Sequence, residues 1–380
     1  MASGPSIERS TTRAGDTAWL VTGYDSVRAL LGDARLSRTH PEPERGARLS
    51  DSVMFGQPTG DPFSQPENHH ALRRLLTLSF SAKRMAGLGP RVQALVDGLL
   101  DEMAKATPPV DLHEALSFPL PALVICELLG VPYEDREDFR RWSDEAGRLD
   151  DRARSAAGQA ALGAYVGRLV ERKREQPAVD VISDLVAASA SDPATVPPDQ
   201  VPTLAAALLF AGHETTVTAI DKGVILLLAN DDLREAVVRH PDAVHPAVEE
   251  ILRVPHPVAG QQTVADYGLP RYASADIEFG GVTIARGDMV MLSIQSANLD
   301  ERTFPAPEAL DVTRGASAHL AFGFGGHFCL GAPLARMELQ TAFGALLRRF
   351  PTLRLAVPAE QLRPRRGTLT GGVVELSVTW

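Results

Sequence analysis

The chain has 380 residues, with 38 Lys+Arg against 48 Asp+Glu, for a formal net charge of -10. Hydrophobic residues make up 44% and charged residues 23%, the composition of a globular protein long enough to bury a large core. The acidic balance argues against nucleic acid as the main partner, and two cysteines, Cys126 and Cys329, exclude a disulfide framework and fit a reducing cytoplasm.

In chain order, "MASGPSIERSTTRAGD" is polar and has no apolar core, so no signal peptide is expected. "AWLVTGYDSVRALLGD" reads as a short strand followed by a helix, and Arg38 to Pro66 as a long loop rich in Pro, Gly, Asp and Ser. "HHALRRLLTLSFSAKRM" reads as one basic helix, and from Gly87 to Ala190 apolar residues recur at helical spacing. A long apolar helix begins near Val201. It carries His213, Glu214, Asp221 and Lys222, which are costly at bilayer depth, so a buried helix is expected rather than a membrane span. "PDAVHPAVEEILR" is a further helix, "IEFGGVTIARGDMVMLSIQSA" a hairpin, and "RTFPAPEALDVTR" an irregular meander. "APLARMELQTAFGALLRRF" is a long amphipathic helix, and "LRLAV" and "VVELSVTW" are terminal strands. No repeat, low-complexity segment or linker divides the chain. The expectation is a single domain over residues 1–380, mainly α with a minor β portion.

The stretch "FGFGGHFCLG", Phe322 to Gly331, places Cys329 directly before a helix. Pro333 falls in the first turn, where its missing N–H costs little. A helix N-terminus offers unpaired N–H groups and partial positive charge, which favour a thiolate. Gly323, Gly325 and Gly326 let the backbone bend tightly and approach a flat partner. A thiolate so held, facing a planar group, is what haem ligation needs. The alternative is a structural cysteine in a glycine-rich loop, and the thiol alone does not decide between them.

Phe322, Gly325, His327, Cys329 and Gly331 fit F-x-x-G-x-H-x-C-x-G, the signature of cytochromes P-450, and the chain resembles that family from Ala18 onward. "AGHETT", Ala211 to Thr216, resembles its oxygen-activation segment; Glu250 and Arg253 match the E-x-x-R pair; His69 and Arg73 match the basic helix that holds haem propionates. Arg271 in "RYASADIEFGG" matches a further propionate-binding arginine. The resemblance implies the fold of that family, a triangular helical domain plus small β-sheets. It implies haem b, with Cys329 as the iron ligand and His69, Arg73, Ala211, Arg271, Phe322, Gly323, His327 and Gly331 around the cofactor. It implies Thr215 and Glu214 as the groups that manage protons, and a charge triad of Glu250, Arg253 and Arg314 bracing the thiolate loop. His70 is assigned no role, and neither is Cys126.

The branch it resembles is the soluble bacterial one. That implies a cytoplasmic monomer, a haem-thiolate monooxygenase inserting one atom of O2 into a lipophilic small molecule, as in secondary-metabolite and antibiotic biosynthesis. Electrons would come from a separate ferredoxin and ferredoxin reductase, docking where Arg74 and Arg336 flank the haem helices. Rival readings are a peroxide-driven peroxygenase, which would lack the Glu214–Thr215 pair, a non-catalytic carrier-recruiting module, which would lack the thiolate, and a cysteine hydrolase, which leaves the loop glycines unexplained. Two departures stand out. Only 17 residues precede Ala18, so the family's leading helix is expected to be absent or replaced, and the segment from Arg253 to Arg271 is long, with Gln261 and Gln262 as polar residues beside the substrate or on the surface.

Overall fold

The structure is a computed structural model and describes residues 6–59, 66–260, 267–314 and 318–380. Gln261 and Gln262 lie outside the described residues. The central element is the 29-residue helix Val201–Ala229. It is apolar nearly all round, and a helix of that kind must be buried on every side. It packs against the helices Pro119–Leu129, Arg152–Glu175 and Ala332–Arg349. By length and composition it would cross a membrane, but neighbouring helices cover its apolar faces. Gly223 sets the closest approach. A Cβ there would stand 2.1 Å from Cζ of Phe343 in the Ala332–Arg349 helix.

The helical stretch from Gly87 to Ala190 resolves into the end of Ala82–Met103, then Pro119–Leu129, Arg136–Ala146, Arg152–Glu175 and Val181–Ser191. Asp151 and Asp180 cap the last two by accepting the Arg154 and Ser183 N–H groups. The single basic helix expected from "HHALRRLLTLSFSAKRM" is two. Pro66–Ser79 ends, Ser81 turns extended at φ -64° and ψ 153°, and Ala82–Met103 begins. Phe80 is buried at the break and Ser81, extended and with no side-chain cap bond, takes the N-cap position, so a buried aromatic and a local change of backbone override the continuous pattern.

The β portion is small. In chain order the strands are β1 (Ser6–Thr11), β2 (Thr17–Thr22), β3 (Leu36–Ser37), β4 (Val110–Asp111), β5 (Leu269–Ala273), β6 (Ile277–Phe279), β7 (Val282–Ile284), β8 (Met289–Leu292), β9 (Arg354–Leu355) and β10 (Ser377–Thr379). One sheet runs β1-β2-β8-β5-β3, with β2 and β8 parallel and the other pairs antiparallel. Before Ala18, Ser6–Thr11 therefore form a strand, β1, whose polar alternation hid it in the sequence. The expected hairpin is only β6–β7, turned at Gly280 and Gly281, both at positive φ; β8 leaves it for the larger sheet. "VVELSVTW" contributes just its last part, as β10 between β4 and β9.

Candidate functional site

The thiol loop is built from backbone bonds. The Cys329 N–H donates to the Phe322 carbonyl at 2.8 Å, and the Phe328 N–H to that of Gly325 at 3.1 Å. Gly323 and Gly325 sit at φ 73° and 70°, where a side chain would strain the turn, and a Cβ on Gly325 would come within 3.2 Å of Gly32 Cα. Cys329 ends this loop beside the helix Ala332–Arg349, with its side chain exposed in an opening of the protein. Enough protein surrounds the sulfur for burial to push its pKa up, against the Gly331 and Ala332 N–H groups and the Arg73 charge, which pull it down. The helix terminus thus favours the thiolate, as its position in the sequence suggested, but burial outweighs it in the free thiol.

Beside the loop the basic residues converge. The rings of His69 and His327 lie 4.3 Å apart, and Gly326 leaves His69 Cε1 3.9 Å from where a Cβ would stand. Arg271 is buried on β5, with its NH1 donating to the Pro270 carbonyl at 2.8 Å. Burial holds the His327 pKa down to about 3, helped by the charges of Arg271, Arg38, His69 and Arg73. Four or five basic groups around one point suit a dianion such as the two propionates of haem. Arg38 belongs to this cluster, and the sequence reading did not include it. His70 is exposed.

Glu250 and Arg253 lie at the end of the helix Val244–Arg253, both nearly fully buried. Arg253 uses all five N–H donors: two to the Glu250 carboxylate, both at 2.8 Å, and three to the carbonyls of Asn298, Pro307 and Ala309. Arg314 reaches the same carboxylate at 3.2 Å and the carbonyls of Pro305 and Ala306, and the Asp311 N–H adds a bond at 3.0 Å. Burial opposes the Glu250 charge, but these partners hold its pKa below the usual value. The three charges therefore fasten the meander, including Ala306 at φ 48°, to the helix.

On the central helix Ala211 and Thr215 are exposed in a stretch whose neighbours are buried, one turn apart on one face. The Thr215 hydroxyl donates to the Ala211 carbonyl at 3.0 Å. Thr215 lines a cavity of about 560 Å3 that also touches Thr370, Leu369 and Leu269, and meets Ala321, the residue before the thiol loop. Glu214 points elsewhere. It is buried, accepts a hydrogen bond from the Thr370 hydroxyl at 3.1 Å, and burial raises its pKa. Thr370 lies on the cavity wall with Thr215, so Glu214 stands behind the wall that Thr215 helps to line. Gly212, next to Ala211, makes room for Ile125, whose Cδ1 would lie 2.5 Å from a Cβ there.

Four further residues shape the site. The Asn298 side chain accepts the Leu320 N–H at 2.7 Å and fixes the approach to the glycine loop. Glu249, next to Glu250 but on another helix face, takes two bonds from Arg336 at 2.7 and 2.8 Å. Burial works against its charge, but Arg336 and His319 hold its carboxyl down at about 2. Arg336 also stacks over the Phe322 ring at 4.5 Å, so it anchors the thiol helix rather than offering a free surface charge. Arg74 is exposed. The fourth is Asp221, which meets His113 at 2.7 Å in the core. A pairing across 108 positions leaves no local pattern in the sequence.

Residues 152–364 match the family model described as Cytochrome P450. The chain is 41% identical to pentalenolactone synthase of Streptomyces exfoliatus, over 99% of this chain and 93% of that protein. It is 41% identical to nocardicin C N-oxygenase of Nocardia uniformis subsp. tsuyamanensis, over 96% and 90%. The crystal structure of mycinamicin VIII C21 methyl hydroxylase from Micromonospora griseorubida, bound to mycinamicin VIII, superposes with a TM-score of 0.88 at 36% identity, covering 99% of this chain and 94% of that one.

Proposed function

The chain belongs to the cytochrome P450 family, and from that premise we propose that Cys329 holds the iron of haem b while His69, Arg73, Arg271 and His327 hold its propionates. The protein is a haem-thiolate monooxygenase acting on a small molecule with O2 and a redox partner. The substrate is a lipophilic natural-product intermediate, a reading supported by relatives named for pentalenolactone, nocardicin C and mycinamicin. The redox partner is a ferredoxin with its reductase, and the enzyme is a cytoplasmic monomer formed by one domain over residues 1–380.

Bound haem supplies the iron at which dioxygen is reduced with two electrons and two protons, one atom entering a C–H bond and the other leaving as water. The protein's part is positioning and protons. Cys329 would hold the iron as a thiolate, giving up the proton that burial favours on the free thiol. Phe322, Gly323 and Gly331 shape the loop, and the Glu250–Arg253–Arg314 triad keeps the meander beside it from moving. Ala211 leaves space over the site. Thr215 must turn from the Ala211 carbonyl to donate its hydroxyl proton outward. Glu214, whose pKa burial raises, is the group placed to hold a proton behind Thr370. The intact Glu214 and Thr215 favour this reading over a peroxide-driven enzyme.

The observation that carries the assignment is the exposed Cys329 thiol beside a cluster of basic side chains centred on His327. The test is the absorbance spectrum of the reduced, carbon monoxide-bound protein. It should show the maximum of thiolate-ligated haem, and Cys329→His should move it. An unchanged spectrum in that variant overturns the ligand assignment.

A further inference from the structure

The cavity beside Thr215 carries a group that oxygen chemistry does not use. Lys222 lies two turns beyond Thr215, on the same helix face, and lines the same cavity. It sits deep in the protein yet is part-exposed, as a side chain opening onto an internal cavity must be. Its ammonium donates to the Val254 carbonyl. Among the described residues the lysine ion pairs are those of Lys105 and Lys173, and Lys222 has none. Two other basic side chains line the cavity, Arg253 and His256, and no Asp or Glu does among the described residues. Arg253 has already committed its five donors. The Nδ1 of His256 accepts the Val258 N–H at 3.2 Å, so the neutral ring carries its proton on Nε2 as a donor. Burial and the nearby Arg253 bring Lys222 down to about 7, and burial with Lys222 brings His256 down to about 4.

Among the described residues no carboxylate faces the Lys222 ammonium; an anion would complete it, and an apolar chamber of this size takes that anion as one end of a lipophilic molecule. We propose that Lys222 anchors a carboxylate of the substrate, so that the enzyme oxidises a lipophilic carboxylic acid. The rest of the molecule then extends toward Thr215, about 10 Å away for seven residues of helix. The anchoring is non-covalent. The lysine takes the ammonium form against the carboxylate, and no bond is made or broken there. The proposal rests on this cavity being the substrate chamber of the monooxygenase reading above.

The test uses the haem-loaded protein and equilibrium dialysis of dodecanoic acid against its methyl ester. Wild type should bind the acid more tightly by about tenfold to a hundredfold, the range for a hydrogen bond to a charged group. Lys222→Met should remove that preference and leave ester binding unchanged. Equal binding of acid and ester by wild type, or a preference that survives in the variant, overturns the proposal. A second measurement needs no folded variant. The chain has four lysines, Lys83, Lys105, Lys173 and Lys222, so ε-carbon-labelled protein gives four resonances. Dodecanoate should shift the one resonance that belongs neither to the exposed Lys83 and Lys105 nor to Lys173, ion-paired with Asp180, and the ester should not; no acid-specific shift counts against the anchor. Failure here leaves the carbon monoxide spectrum untouched, and a failed spectrum strikes the haem assignment without altering these binding measurements.

Discussion

Thr215 and Glu214 are neighbours in the chain that face different surroundings. The hydroxyl of Thr215 opens onto the cavity, while Glu214 is buried behind Thr370. Thr215→Ala removes one hydroxyl and one helix-backbone bond, so haem and substrate binding should stay near wild type. Product formed per electron consumed should fall by about tenfold or more, with hydrogen peroxide released instead. Wild-type coupling in that variant, measured as product and peroxide per reductant, would place the proton route elsewhere. Glu338 gives a prediction of a different kind. It is 1% exposed, its Oε2 has no hydrogen-bond partner, and burial raises its pKa well above 4.5. A carboxyl raised in the folded state contributes stability below its unfolded value and loses it as pH rises toward the folded one. The folded chain keeps the proton while the unfolded chain releases it. Wild-type stability should therefore decline relative to Glu338→Gln by up to about 1.4 kcal/mol per pH unit from about pH 4.5 until the raised folded value is reached. Chemical unfolding of both proteins across pH 5–8 measures the difference, and parallel curves would show that Glu338 is ionised in the fold.

At the level of elements, the central helix was legible because its length and apolar content demand burial. Its glycines were not. Intrinsic propensity says that Gly223→Ala should stabilise the helix by about 1 kcal/mol. The packing says otherwise, since the new methyl would sit 2.1 Å from the Phe343 ring, itself 1% exposed and unable to give way. The net expectation is a loss of about 1–3 kcal/mol, read as a lowered unfolding midpoint. A raised midpoint would mean that the two helices part more easily than their packing implies. The same gap separates the expected basic helix from the two observed. Hydrophobic period runs through Phe80 and Ser81, but a buried ring and a local change of backbone end one helix and start another.

For the whole molecule, the net charge of -10 would repel an acidic ferredoxin unless local basic groups oppose it. Arg74 and Arg336 were the candidates, and the structure separates them. Arg74 is exposed, whereas Arg336 is bonded to Glu249 and stacked on Phe322. Arg74→Glu should slow the first electron transfer by about threefold to tenfold at low salt and leave thermal stability unchanged. Arg336→Glu should instead lower the unfolding temperature and loosen haem retention. If stopped-flow reduction slows in Arg336→Glu while its unfolding temperature holds, the arginine belongs to the docking face after all.

By itself the sequence determined the family and marked Cys329, Ala211, Glu214, Thr215 and the pair Glu250 and Arg253 as candidates. These stand in short motifs, where a turn or a few residues of helix fix the spacing, whereas Arg314 reaches Glu250 only across 64 positions of the fold. The tertiary structure alone decided what those residues meet. It gave Arg253 its carbonyl partners, drew Arg38 into the basic cluster, set Thr370 between Glu214 and the cavity, spent Gly212 on Ile125, paired His113 with Asp221, and turned Lys222 onto the cavity wall. Such pairings join positions tens to hundreds of residues apart. They depend on which helix faces pack together, and that is settled by the burial of the whole apolar surface rather than by any one segment.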